Sequence, residues 1–90
     1  MAVVQFTSAL NRFFPSLQAS EVEASTIAEL LHKLEDLYPG IRDFIVEEDG
    51  SLRQHVNIFI ANELIQDRTS LKDELLSTDE VFIFQALSGG

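Results

Sequence analysis

Apolar and polar positions alternate in short runs toward both ends of the chain and switch to helical spacing between them. Val3 to Thr7 predicts a first strand, with Val4 and Phe6 on one face and Val3 and Gln5 on the other. Leu10, Phe13 and Phe14 follow in an irregular apolar stretch that reads as a packed turn. Glu21-Val22-Glu23-Ala24 alternates again, so a second strand is expected over Ser20 to Ala24. The two strands would pair as an antiparallel hairpin across the Asn11–Gln18 connection.

The helix signal starts at Thr26. Thr26 is an N-cap residue, and Glu29 three positions later can complete a capping box. Ile27, Leu30, Leu31, Leu34 and Leu37 then recur at helical spacing and form one apolar stripe, which must be laid on another layer. Glu29 and Lys33 stand four apart in the favourable order for a helix ion pair, and Pro39-Gly40 ends the helix.

Beyond it, Ile41 to Ile45 predicts a short helical turn and Glu47-Glu48-Asp49-Gly50 a polar reversal. Val56-Asn57-Ile58-Phe59-Ile60, rich in β-branched residues, reads as a third strand. Ala61-Asn62-Glu63 turns the chain into a brief edge strand over Glu63 to Ile65. Ser70 to Leu76 fits either a helical turn or a loop, and Val81 to Gln85 is the last strand. The order is ββαββ with one minor strand. One amphipathic helix on a sheet of four to five strands makes an α+β domain over residues 1–90.

Length allows one core and no second domain. Asp and Glu outnumber Lys and Arg by 15 to 6, for a formal net charge of −9. Such a surface repels nucleic acid and anionic lipid and attracts a partner with a basic face. There are no cysteines, so disulfides, thiolate metal sites and thiol nucleophiles are excluded. The first residues have neither a basic n-region nor a cleavable apolar stretch, and no apolar run reaches bilayer length. A cytoplasmic protein without nucleic-acid or membrane partners is expected.

The last strand leads through Gln85-Ala86-Leu87-Ser88 to Gly89-Gly90. A thin tail poor in side chains, residues 86–90, would spring from a rigid sheet and enter a narrow pocket of another protein. Val81 and Ile83 would face the helix, leaving Phe82 and Phe84 on the opposite side of the sheet. Phe59 shares their outward parity with Asn57 and Ala61. One helix covers one face, so these rings are expected to form an apolar docking patch beside the tail unless loops, through Phe13 and Phe14, cover them.

This pattern resembles the β-grasp, or ubiquitin-like, fold, and within it the MoaD/ThiS family of sulfur carriers. The residues that carry the resemblance are Leu52-Arg53-Gln54-His55-Val56-Asn57-Ile58-Phe59-Ile60, Thr78-Asp79-Glu80-Val81 and Ser88-Gly89-Gly90. It covers nearly the whole chain and is similar to the MoaD- and CysO-like branches. Phe84-Gln85-Ala86-Leu87 departs from it, because MoaD proteins often carry prolines there.

The resemblance implies a carrier rather than an enzyme, either free or as the small subunit of a synthase such as molybdopterin synthase. The Gly90 carboxylate would be adenylated by an ATP-dependent activating enzyme of MoeB or ThiF type and converted to a thiocarboxylate. A MoaE-like or cysteine synthase-like protein would accept the sulfur, for molybdopterin or cysteine. No cofactor is held by the carrier itself; ATP is used by its partner. Gly90 and Gly89 are then the reacting terminus, and Phe59, Phe82, Phe84, Leu87 and Ser88 the partner-binding residues. The alternative is a ubiquitin-like modifier joined through the same glycine to lysines of target proteins.

The remaining polar residues point to no chemistry. His32 and His55 stand alone, which argues against a metal or acid–base site. Glu35 and Asp36 are adjacent on the helix and diverge. Glu47 to Gly50 lacks the ligand spacing of a calcium loop. Arg12 and Arg53 would pair with acidic loops of this protein or of a partner.

Overall fold

Alternation in the strands and a helical stripe between them resolve into one sheet and one covering layer. The structure, a computed structural model, describes residues 2–7, 10, 14–76 and 78–85. Among these residues the elements run β1 (Ala2–Phe6), β2 (Ser20–Val22), α1 (Ile27–Leu37), α2 (Arg42–Ile45), β3 (Val56–Ile60), β4 (Glu63–Leu64) and β5 (Glu80–Gln85). The sheet order is β2-β1-β5-β3-β4. β1 and β5 pair in parallel and the other neighbours are antiparallel, so the sheet is mixed and β5 is its middle strand.

Period two decides what is buried. Ala2 and Val4, Val22, Val56 and Ile58, and Val81 and Ile83 point into the core, where they meet Ile27, Leu30, Leu31 and Leu34 of α1. α2 and its flanks add Ile41, Ile45 and Val46. Phe14 packs edge-on against Phe44, ring centroids 5.4 Å apart, and both lean on this core.

α1 begins as its capping residues require. The Thr26 hydroxyl accepts the N–H of Glu29 at 3.2 Å, and Glu29 Oε1 reaches back to the N–H of Ser25 at 2.8 Å, one residue before the cap. Two further first-turn donors are taken up by the 71–75 segment: Ile27 N–H bonds Asp73 O at 3.1 Å and Ala28 N–H bonds Leu71 O at 2.8 Å. Ser70 to Leu76 is therefore a loop whose backbone satisfies the helix start. Its own entry is fixed by Asp67, whose carboxylate accepts the N–H groups of Thr69, Ser70 and Lys72, and by Asp73, which accepts those of Gln66 and Asp67.

Two expectations from the helix spacing are corrected. Leu37 is 56% exposed rather than part of the buried stripe. At 100° per residue it lies about 70° off the centre of that stripe, whereas Tyr38 falls about 30° from it; Tyr38 is the residue that packs on the core. The Glu29–Lys33 pair is not made, because Glu29 is engaged by Ser25 and the Lys33 ammonium donates to Glu23 O. The β3–β4 turn places Ala61 and Asn62 at φ 51° and 72°, the left-handed pair of a tight hairpin.

Candidate functional site

α1 covers one face of the sheet, and the other face is built by residues of opposite parity. Its centre is a cross-strand row. Phe82 on β5 stands opposite Phe59 on β3, and Phe59 stands opposite Leu64 on β4. Gln5 flanks Phe82 from β1. One step toward the tail, Phe84 faces Asn57 across the β3–β5 ladder. The rings of Phe82 and Phe84 lie 6.3 Å apart, tilted by 32°. Phe84 is 40% and Leu64 54% exposed, while Phe59 and Phe82 are half-buried by their neighbours.

Phe59, Phe82 and Phe84 thus stand together on the uncovered face, in the places that strand parity assigns them. Phe14 packs with Phe44 and the core instead of shielding the rings; Phe13 lies outside the described residues. Leu64 joins the patch unforeseen, because a two-residue edge strand has too little alternation to reveal its outward side. Leu87, Ser88, Gly89 and Gly90 lie outside the described residues.

The end of β5 is held by Thr7, the residue after β1. Thr7 N–H bonds Ile83 O at 3.2 Å, and Thr7 Oγ1 accepts the N–H of Gln85 at 3.3 Å. A cleft of about 370 Å³ opens beside this point, lined by Asp43, Phe44, Arg53, His55, Val56 and Gln85. Arg53 forms an exposed ion pair with Glu47 at 3.0 Å, so the acidic loop that takes it up is the protein's own. Arg68, whose role has no signature in the sequence, bonds Asn57 Oδ1 at 3.0 Å and the carbonyls of Arg53 and Val56 at 2.8 and 3.0 Å. It ties the loop after β4 to the start of β3, directly beside Phe84.

Several acidic groups serve the backbone. Hydrogen bonds from the N–H groups of Gly40 and Arg42 hold the Glu35 carboxyl below the usual glutamate range, and the Arg42 charge adds to this. Ser51 lowers Asp49 in the 47–50 turn, and the N–H groups of Ser70 and Lys72 lower Asp67. His32 and His55 are both exposed and far apart in the fold order, on α1 and before β3. Among the described residues no three metal-ligating side chains gather, and no helix is long and apolar enough to cross a membrane. What the described residues offer on this face is an apolar surface that follows β5 as far as Phe84.

Solved structures with the same architecture cover the chain almost completely. A chain of the Amycolatopsis orientalis BexX/CysO complex superimposes with a TM-score of 0.85 at 22% identity, over 100% of both chains. Mycobacterium tuberculosis CysO gives 0.83 at 21% identity over 97% of this chain and 100% of its own. Small archaeal modifier protein 1, SAMP1, of Haloferax volcanii gives 0.80 at 22% identity over 99% and 98%. These likenesses establish the ubiquitin-like β-grasp fold. No curated protein matches the chain. The profile of the ThiS family matches residues 4–90. With that match spanning nearly all of a β-grasp domain, the chain belongs to the ThiS family.

Proposed function

We propose that this protein carries sulfur as a thiocarboxylate on Gly90. The observation that supports this most is the continuity of an uncovered aromatic face, Phe59, Phe82 and Phe84, with the strand that runs into Gly89-Gly90. A partner that grips the face holds the tail at a fixed distance from its own catalytic groups.

A carboxylate is a poor electrophile, so it must first be activated. A Gly90 carboxylate oxygen attacks the α-phosphorus of ATP, bound by an activating enzyme of MoeB or ThiF type, and pyrophosphate leaves. Hydrosulfide, HS−, then attacks the acyl carbon, the C–O bond to AMP breaks and AMP departs with its electron pair, and loss of the S–H proton leaves the terminus as a thiocarboxylate. The carrier supplies positioning, and the activating enzyme supplies electrostatic stabilisation. Glycine at 89 and 90 keeps the trajectory open and lets the backbone pass close to a pocket wall. The acceptor is a MoaE-like or a cysteine synthase-like protein. The CysO chain that stands in a complex with BexX supports the reading that this fold presents a face to a partner.

The likeness to small archaeal modifier protein 1 favours a second reading, in which a target lysine amine attacks the same adenylate and an isopeptide forms. Intact mass after incubation with the activating enzyme, ATP and a sulfur donor decides. Replacement of one oxygen by sulfur in the free protein supports the carrier, and covalent adducts to other proteins support the modifier. Gly90→Ala is expected to abolish most ATP–pyrophosphate exchange with the fold intact. Unchanged exchange in that variant overturns both readings.

A further inference from the structure

The uncovered face is not uniform along its strands, because its charges are sorted by position. Where β5 begins, Glu80 points outward beside Val3 of β1, and Glu21 stands across Val3 on β2; both carboxylates are exposed. Where β5 ends, the Arg68 guanidinium lies at Asn57, the cross-strand neighbour of Phe84. Between them runs the apolar row Phe82, Phe59 and Leu64. The two ends are separated by four residues of β5, about 13 Å at the rise of a strand.

The carboxylates at one end are exposed, and at the other Arg68 is half-buried with its charge offset by no carboxylate among its hydrogen-bond partners. Arg68 bonds the amide oxygen of Asn57 and two carbonyls, all neutral acceptors, whereas the ion pair seen among the described residues is Arg53–Glu47. Glu21 and Glu80 project from the sheet with their side chains in solvent.

We propose, on the basis of the carrier reading, that this graded face selects the direction in which a partner protein lies on it. The fitting partner has an apolar centre, a basic group over Glu21 and Glu80, and an acidic group over Arg68. Docked that way, its catalytic pocket meets the tail end of β5. Turned end for end, it sets acid against Glu80 and base against Arg68, and like charges reject the complex. A second copy of this chain is disfavoured as the occupant, since each copy brings a net charge of −9.

The test uses the full chain with the ATP-dependent activating enzyme of its own source, read by ATP–pyrophosphate exchange at low and high salt. Glu80→Lys is compared with Glu48→Lys, which makes the same charge change in the 47–50 turn off this face. Glu80→Lys should lower kcat/KM roughly tenfold at low salt and much less at high salt, while Glu48→Lys changes it far less. Both sites are exposed, and equal urea midpoints confirm that the fold is kept. Equal effects of the two variants, or none, overturn the proposal by leaving net charge alone or no charge at all. A wild-type dimer at micromolar concentration in sedimentation assigns the face to a second copy and overturns it as well. Absence of any exchange dependent on Gly90 is a distinct result that removes the carrier reading and this proposal together.

Discussion

Phe84 and Asn57 stand opposite each other on the central ladder, so the ring nearest the tail is bordered by an amide that Arg68 holds in place. The aromatic patch therefore ends on a polar, fixed edge. Truncating Phe84 to alanine removes exposed ring area without opening the core. Tail activation should fall about tenfold in kcat/KM, in keeping with loss of an aromatic anchor at an interface. Urea denaturation should show a nearly unchanged midpoint. An unaltered exchange rate would remove Phe84 from the docking surface.

Thr26 caps α1 while Glu29 secures the residue before it. Thr26→Ala should cost about 1 kcal/mol, measured by chemical denaturation, because one first-turn N–H loses its acceptor. Glu29→Ala should weaken the same end by a smaller amount, and the double variant should show coupling between the two.

Glu35 accepts the N–H groups of Gly40 and Arg42, closing the turn after α1. Its folded pKa is depressed, first by the Gly40 bond and then by the Arg42 bond. The unfolded chain thus binds the proton more readily, and stability contributed above the ordinary glutamate value of about 4.3 is lost as pH falls through the lower folded value. Asp49 and Asp67 act in the same direction. Glu35→Gln should flatten the acid limb of a stability-against-pH curve. A limb identical to wild type would refute the assignment.

Ala61 occupies the left-handed region at φ 51° in the β3–β4 turn, a conformation that suits glycine better than a residue with a Cβ. Ala61→Gly is expected to raise the thermal midpoint slightly, relieving strain on the order of 1 kcal/mol less the extra freedom glycine brings to the unfolded chain. A marked loss of stability would show that the Cβ has a packing role.

Local patterns made much of this fold legible. Period two in β1, β3 and β5 assigned both faces of the sheet, because a strand has only two sides and one of them had to carry Val81 and Ile83. The same parity put Phe59, Phe82 and Phe84 together before any pairing was known. Pairing itself was hidden. Nothing local tells residues 3–6 that they will lie parallel to residues 80–83. Leu37 is misplaced because a step of three from Leu34 drifts off the stripe, whereas a step of four reaches Tyr38, which packs on the core. The role of the 71–75 loop was unreadable for a related reason: backbone carbonyls carry no sequence signature, yet those of Leu71 and Asp73 complete the helix start. Acid excess also meant more than solubility, since Glu29, Glu35, Asp67 and Asp73 each hold backbone N–H groups.

The middle position of β5 has a mechanical consequence. Tension applied at Gln85 along the strand axis would load two ladders at once, the parallel one to β1 and the antiparallel one to β3. Both rows of hydrogen bonds then resist as sheared sets instead of unzipping one rung at a time. A pull on the chain beyond Gln85 is thus borne by the central strand of the described sheet.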